Sequence, residues 1–396
     1  MTRKTLLVLA ASRYQIPIIT TAKRLGYRVL TIDNVPDNPG HALADLACFL
    51  DTTDIRGVLA VARRERIDGV IAACTDVAVP TAAAVAHALD LPGVSPETAR
   101  IACDKTHFRG FLRDHGWNCP ESWVITADTV LPETLFDRPW MLKPAKSSGS
   151  KGARIINSHA EYQRQVAATL AFSRDHRGIL ERYIDGAQIT CEGLLHQGKI
   201  AVAVITDRQT APAPYVATRG HRIPSRLPII LQHRILDRLT QLWSMLEVTE
   251  GPFDCDLVVA DEDIHVLEVS PRVGGNSLAR LLLSACDFDL IEYAVRQSMG
   301  ETILAPVSPP PRPAGLLLLG VEQPGRLDYD AKALVALSAT PWVEHLVLDY
   351  PPGTVVQPFT DGRYRVGEAL VLGRDRDEVD QRLTELQTRL AIRAIP

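Results

Sequence analysis

The sequence predicts an α/β fold that begins with a doubly wound parallel sheet and continues into an α+β region. In the first part of the chain, apolar strand-like runs at 5–10, 27–32 and 69–73 alternate with helical segments at 55–66 and 79–89. Short, continuously apolar strands between helices are typical of a parallel sheet covered on both faces. After residue 95 the pattern changes. Apolar runs at 140–143 and 153–156 flank a glycine- and serine-rich loop with no helix between them, which predicts an antiparallel hairpin.

Length and composition are those of an ordinary globular protein. The 396 residues are enough for two or three domains, with 46% hydrophobic and 23% charged residues. A formal net charge of −4 gives no electrostatic footprint for nucleic acid and favours a small-molecule substrate. No run approaches the roughly 18 apolar residues of a membrane span, and the N-terminus is predicted to be a strand rather than a secretion signal. The seven cysteines are scattered, without a CxxC pair, which favours the reducing cytoplasm.

A dinucleotide site is not expected in the first domain. A Rossmann fingerprint needs GxGxxG directly after the first strand, and the sequence there is Ala10, Ala11, Ser12 and Arg13.

The segment 254–270 predicts a hairpin that pairs two carboxylates. With Glu262 at the centre of the turn, Asp256 lies opposite Glu268, and Asp254 lies opposite Ser270. Carboxylates about 5 Å apart repel by about 3 kcal/mol at an effective dielectric of ~20. A bound Mg²⁺ would turn that repulsion into attraction, whereas the alternative is a solvated pair at a sheet edge. The same register places four apolar side chains on the core face: Leu257, Val259, Leu267 and Val269.

Two glycine-containing segments are candidates for binding phosphate or substrate. Arg272, followed by Gly274 and Gly275, could clamp a phosphoryl group or a carboxylate by a bidentate contact. The loop 143–152 carries three lysines among glycines and serines and could wrap phosphates with backbone N–H groups. The alternatives are a structural arginine and a plain exposed turn.

The segment 181–192 is expected to form one alternating strand. Gln188, Thr190 and Glu192 would then share one face, which either meets solvent or lines a cleft.

Taken in order, these pieces resemble the ATP-grasp superfamily over essentially the whole chain. The most similar branch contains biotin carboxylase, carbamoyl-phosphate synthetase and the amino-acid ligases. The matching motifs are Asp104-Lys105 with Arg109, Leu142-Lys143-Pro144 with its loop, Glu181-Arg182-Tyr183-Ile184-Asp185-Gly186, and Leu267-Glu268-Val269-Ser270-Pro271-Arg272-Val273-Gly274-Gly275. The resemblance implies an N-terminal doubly wound domain (1–97), an ATP-grasp domain (98–305) with a mobile lid around 120–180, and a proline-rich linker with a C-terminal subdomain (306–396).

The resemblance also implies roles for individual residues. Lys105 and Lys143 would contact ATP phosphates, Asp256 and Glu268 would hold Mg²⁺ (or Mn²⁺), and Arg272 would stabilise the transferring phosphoryl group. The implied ATP-contacting residues of the loop and of the adenine and ribose region are Ser147, Ser148, Gly149, Ser150, Gly152, Glu181, Arg182, Tyr183, Ile184 and Gln188.

The departures from the family pattern are informative. Ser270 replaces the usual asparagine of the metal site and keeps an oxygen donor, and Gln188 replaces the acid that contacts the ribose. His221 matches the substrate-loop histidine of amino-acid ligases, although a satisfied loop histidine is an equal alternative. Thr218 replaces the acid that binds a substrate ammonium group in those enzymes, which argues against a free α-amino acid as the first substrate.

The resemblance therefore implies a cytoplasmic carboxylate–amine ligase that uses Mg·ATP and an acyl phosphate to form an amide, releasing ADP and phosphate. Its partners would be small-molecule substrates, with neither nucleic acid nor membrane, and the family makes a homodimer an expectation. The alternatives are an ATP-grasp small-molecule kinase and a nucleotide-binding scaffold without catalysis.

Overall fold

A computed structural model describes residues 3–304 and 309–396. Part of the predicted proline-rich linker, 305–308, lies outside these residues. In the described ranges, no helix is long and apolar enough to cross a membrane.

The N-terminal unit is a four-stranded parallel sheet in the order β3-β2-β1-β4, as predicted. Because the strands are parallel, their carboxyl ends meet at one edge, where ligands bind in doubly wound folds. The elements are β1 (Thr5–Leu9), α1 (Ile16–Arg24), β2 (Arg28–Ile32), β3 (Leu46–Cys48), α2 (Ile55–Glu65), β4 (Gly69–Ala72), α3 (Val79–Ala88) and α4 (Pro96–Ala102). Short 3-10 turns lie at Arg13–Gln15, His41–Leu43, Asp76–Ala78, Glu133–Asp137 and Gly362–Tyr364.

A small antiparallel sheet follows, in the order β5-β8-β6-β7. The predicted hairpin is confirmed, because β6 pairs with β7 through Trp140 and Ile156. Asp104 caps the helix before this sheet by accepting hydrogen bonds from the backbone N–H groups of Thr106 and His107, which fixes Lys105 at the first helical position. The elements are α5 (Lys105–Asp114), β5 (Ser122–Ile125), β6 (Trp140–Pro144), β7 (Arg154–Ile156), α6 (His159–Leu170) and β8 (Gly178–Arg182).

The largest layer is an eight-stranded sheet in the order β13-β12-β9-β10-β11-β14-β18-β16, in which neighbouring strands are antiparallel. Strands from the C-terminal part of the chain thus continue the sheet begun by residues 187–270. A three-stranded sheet, β17-β15-β19, flanks it. The elements are β9 (Ala187–His196), β10 (Lys199–Thr210), β11 (Thr218–Ile223), α7 (Ile229–Met245), β12 (Gly251–Ala260), β13 (Asp263–Ser270), α8 (Leu278–Cys286), α9 (Leu290–Ser298), β14 (Ala314–Leu319), β15 (Gly325–Asp328), α10 (Ala331–Ser338), β16 (Val343–Leu348), β17 (Val355–Val356), β18 (Gly367–Leu372), α11 (Arg376–Leu390) and β19 (Arg393–Ile395).

The prediction of one strand over 181–192 is wrong. Residues 178–182 belong to the small sheet and residues 187–196 to the central sheet, so the segment crosses between them at 183–186. The polar alternation holds only from Gln188 to Glu192, and the Asp185-Gly186 pair before it is a turn signal that marks the break.

Apolar packing joins the layers. One buried cluster connects Leu6 and Ile18 of the parallel sheet unit with Leu282 of α8 and Leu316 of β14. A fully buried side chain of this size stabilises the fold by about 1.5–3 kcal/mol. The carboxyl edge of the parallel sheet is thereby held against the central sheet.

Candidate active site

One cavity of ≈ 520 Å³ lies where the parallel sheet, the central sheet and the small sheet meet. Its volume is that of a small-molecule or cofactor site. Fifteen of the seventeen residues predicted for the site line it. They are Lys105, Lys143, Ser147, Ser148, Gly149, Ser150, Glu181, Arg182, Tyr183, Ile184, Gln188, Asp256, Glu268, Ser270 and Arg272. Gly152 and His221 are not among the lining residues.

The predicted pairing of the two carboxylates is confirmed, although the hairpin turn differs from the predicted one. Asp256 pairs with Glu268 across β12 and β13. The turn has two residues rather than three, Asp261 and Glu262, both with positive φ (46° and 66°), which suits the twist of a hairpin. A register shift between Asp256 and Leu257 then restores the predicted pairing.

The same bulge makes the prediction for Leu267 wrong. Leu267 lacks a partner in β12 and lines the cavity instead of the core, whereas Leu257, Val259 and Val269 are buried as predicted. Leu267 shares the cavity wall with Met141 and Val258.

Each carboxylate of the pair already has a cationic partner. Lys105 Nζ lies 2.9 Å from Glu268 Oε1, and Arg208 Nη1 lies 2.6 Å from Asp256 Oδ2. Thr190 Oγ1 also donates to Asp256 Oδ1 at 2.7 Å. These contacts offset the repulsion between the two acids. Arg208 was not predicted, because its contact joins strands 48 residues apart in the chain.

Lys143 belongs to a buried ion triad. Glu181 accepts a hydrogen bond from Lys143 Nζ at 2.7 Å and lies 2.6 Å from Arg109 Nε. Burial alone would raise the pKa of Glu181, but Arg109 and Lys143 outweigh it and hold the pKa at about 2. Arg109 Nη2 donates to the carbonyl of Leu267 at 2.7 Å, so the triad also braces the bulge.

Arg272 is oriented by a carboxylate that the sequence did not identify. Asp76 Oδ1 accepts from Arg272 Nη2 at 2.6 Å, from Arg272 Nε at 2.9 Å and from Ser270 Oγ at 2.7 Å. Arg272 Nη1 donates to Asp254 Oδ2 at 3.1 Å. Asp76 follows β4 at the carboxyl edge of the parallel sheet, and this position is the one signal that could have found it. Ser270, predicted as a metal ligand, is engaged by Asp76.

A second carboxyl pair lies beneath Arg272. Asp254 is paired with Glu192 across β12 and β9, and Glu192 Oε1 accepts from the Gly274 N–H at 2.8 Å. Burial raises the pKa of Asp254 to about 7 and raises that of Glu192 as well, with a further contribution from Asp254. In the described ranges, Glu192 Oε2 and Asp254 Oδ1 are buried without hydrogen-bond partners, which disfavours the ionised form of each acid and agrees with the raised pKa values.

The loop 147–152 closes one side of the cavity. Gly149 and Gly152 have positive φ (69° and 74°), which glycine adopts without strain. Lys105 Nζ donates to the carbonyl of Ser147 at 3.2 Å. Gly152 lies behind the lining residues, where an added Cβ would be 2.5 Å from the Phe172 ring.

The structure places His221 behind the cavity wall. His221 is 1% exposed, and its Nδ1 is 2.9 Å from Thr206 Oγ1. Burial lowers its pKa to about 3, with a further contribution from Arg208, so the ring is neutral. Thr218 of the same strand lines the cavity. The predicted substrate role of His221 stays a prediction.

Known proteins are similar to this chain in sequence and in fold. The sequence profile described as an ATP-grasp domain matches residues 136–280. The L-amino acid ligase from Bacillus licheniformis superposes with a TM-score of 0.84 at 21% identity, covering 100% of this chain and 99% of that one.

Two curated relatives extend the comparison. The formate-dependent phosphoribosylglycinamide formyltransferase of Paraburkholderia xenovorans is 24% identical over 387 residues, 95% of this chain and 92% of the relative. The uncharacterized protein y4rH of Sinorhizobium fredii is 25% identical over 306 residues, and the match covers 76% of this chain but only 63% of y4rH.

Residues 136–280 therefore match the ATP-grasp domain that the sequence predicted, and the chain shares the fold of the L-amino acid ligase over its whole length.

Proposed function

We propose that this protein is a Mg·ATP-dependent ligase that joins a carboxylate to an amine through an acyl phosphate and releases ADP and phosphate. The observation that carries the proposal is the Asp256–Glu268 pair, which shares one cavity with Lys105, Lys143 and Arg272. Two acids on adjacent strands beside three cations match the charges of a metal–triphosphate complex.

The donor set fits a hard divalent cation. Asp256 and Glu268 offer only oxygen ligands on rigid strands, which suits Mg²⁺ and also Mn²⁺. The described residues contain no cluster of three or more side chains that could hold a metal, so phosphate and water oxygens would complete the coordination. Ser270 is a third candidate ligand if it releases Asp76. The metal would neutralise the triphosphate, and Lys105 and Arg208 would then be free to contact phosphate or substrate.

The nucleotide base would lie against the apolar part of the cavity wall. Met141, Val258 and Leu267 supply an apolar surface there, beside the crossover that contains Tyr183 and Ile184. Backbone groups of this crossover would bind the adenine edge. The side chain of Glu181 would hold Lys143 in place instead of contacting the base.

The remaining nucleotide contacts follow from the cavity wall. Gln188 lines the wall and would bind ribose hydroxyls. The loop 147–152 would cover the phosphates as a lid, through Ser147, Ser148, Gly149 and Ser150.

The chemistry is a phosphoryl transfer followed by an acyl transfer. A substrate carboxylate oxygen attacks the γ-phosphorus, and the bond to ADP breaks. Arg272, fixed by Asp76 and Asp254, spreads the developing charge on the phosphoryl group. The amine nitrogen then attacks the acyl carbon, loses a proton, and phosphate leaves. Closure of the lid over the cavity keeps water away from the acyl phosphate.

The proposal includes the setting of the enzyme. Small-molecule carboxylates and amines fit a cavity of ≈ 520 Å³. All seven cysteines are free, which supports a reducing compartment such as the cytoplasm. His221 lies on the same strand as Thr218 and would act indirectly, by fixing that strand through its contact with Thr206. A homodimer is part of the proposal by analogy alone.

The test is ADP and phosphate release with Mg·ATP and a pooled panel of carboxylic acids and amines. Phosphate release that needs both an acid and an amine is expected, and it should disappear in Glu268→Ala and Arg272→Ala. Glu385→Ala, which removes an exposed carboxylate paired with Arg389, is the control that should behave as wild type. ADP formed with one substrate and no free phosphate would instead identify a kinase and refute the ligase.

A further inference from the structure

The C-terminal part of the chain reaches the loop over the cavity. The Gly362 N–H donates to the carbonyl of Gly149 at 3.0 Å. The Arg363 guanidinium lies 5.0 Å from the centroid of the Phe172 ring, and Phe172 in turn packs against Gly152. Gly362 and Arg363 both line the cavity. The loop 147–152 is therefore closed against the segment that carries Arg363.

This contact brings together two cations that lack a complete set of partners. Arg363 donates from Nε and Nη2 to Asp361 at 2.9 and 2.7 Å, and its Nη1 has no acceptor among the described residues. Lys151 lines the same cavity, and its ammonium makes no hydrogen bond or ion pair within the described ranges. Lys105 and Lys143, unlike Lys151, each pair with a glutamate.

Lys151 and Arg363 carry like charges that repel each other, although the loops that carry them are held together. Burial lowers the pKa of Lys151, and the charge of Arg363 lowers it further. The carboxylates of Asp361 and Asp76 act in the opposite direction. Lys151 and Arg363 line the same cavity as Arg272. An anion placed between Lys151 and Arg363 would attract both cations. It would thereby replace the repulsion between the two loops with a favourable contact on each side.

We propose that Lys151 and Arg363 form an oxyanion subsite that spans the loop 147–152 and the C-terminal loop, and that its ligand is the phosphoryl group transferred from ATP. The inference rests on the proposed function, because it requires ATP in this cavity. It adds a contact from Arg363, which lies outside the residues 136–280 that match the ATP-grasp domain. Binding of the phosphoryl group would then hold the loop closed over the reacting atoms.

The test is calorimetric binding of Mg·AMP-PNP and Mg·ADP to the full chain and to Arg363→Leu. A charge-assisted contact to one phosphoryl group predicts about tenfold weaker binding of AMP-PNP, with ADP changed by less than twofold. Lys151→Leu should show the same pattern, and Arg363→Lys should recover part of the loss. Arg374→Leu, at an exposed arginine paired with Glu378, is the matched control.

Two outcomes would overturn the subsite: equal losses for AMP-PNP and ADP, which would mean that Arg363 only supports the fold, or no loss for either. Orthophosphate added to the Mg·ADP complex distinguishes the sources of the phosphoryl group. If Arg363→Leu binds orthophosphate more weakly, the subsite also retains the released phosphate. If its orthophosphate binding is unchanged while AMP-PNP binding is weakened, the subsite takes only the phosphoryl group of the nucleotide. Failure of the wild type to bind either nucleotide would refute the proposed function itself.

Discussion

Replacing Glu181 with glutamine should destabilise the fold by an amount that depends on pH. Glu181 is buried between Arg109 and Lys143, and these cations hold its pKa at about 2, against an ordinary value of 4.5. Glutamine resembles the protonated acid. The ionised form is therefore favoured in the folded state by roughly 2.5 pKa units, which corresponds to about 3 kcal/mol at pH 7.

The sign of the pH dependence follows from the lowered pKa. The stabilisation is fully present above pH 4.5 and is lost as the pH falls through 2. The difference between wild type and Glu181→Gln should thus be about 3 kcal/mol at pH 7 and about 2 kcal/mol at pH 3.5. Urea titrations at both pH values, followed by circular dichroism, would measure it through the shift in the unfolding midpoint.

A matched substitution separates this effect from the loss of any ion pair. Glu385→Gln removes a carboxylate that pairs with Arg389 on the exposed face of α11, where such pairs contribute about 0.5 kcal/mol or less. If Glu181→Gln unfolds at the same urea concentration as Glu385→Gln, the buried triad does not stabilise the fold and the reasoning is wrong.

Three further changes test the site. Gly274→Ala would place a Cβ 2.0 Å from Glu192 Oε2, so we expect a large loss of soluble protein or of phosphate release. Gly275→Ala is the control and should be tolerated, because no other atom lies within 4 Å of a Cβ at that position. Asp76→Asn keeps an oxygen for Arg272 but removes the charge, and should lower kcat at least tenfold while leaving AMP-PNP affinity within about threefold; a drop in affinity alone would contradict the assigned role. Chelation by EDTA should abolish phosphate release, with recovery on adding Mg²⁺ or Mn²⁺; activity that survives chelation would rule out the metal at Asp256.

Local sequence patterns predicted the parallel sheet and the pairing within one hairpin. The parallel sheet followed from strand–helix alternation, and the pairing of Asp256 with Glu268 followed from the period of two along a hairpin. The prediction for Leu267 failed because a β-bulge reverses the face of one residue and leaves no mark in an alternating sequence.

Contacts between distant segments were out of reach. Asp76 meets Arg272 across 196 positions of the chain, and Gly149 meets Gly362 across more than two hundred. Neither Asp76 nor Gly362 carries a local pattern that indicates its partner, since each contact is created by the packing of one layer on another. The sequence therefore identified the residues that line the cavity better than the residues that hold them in place.

The strand order of the central sheet constrains how the chain is made. Strand β11 pairs with β14 on its outer side, so its edge stays unpaired until residues 314–319 have been synthesised and the segment has folded back. Exposed strand edges invite pairing with other chains, and pairings between distant segments form slowly. Shortening the chain before residue 314 would leave this edge open permanently, and we expect such a product to aggregate instead of folding as an isolated nucleotide-binding unit.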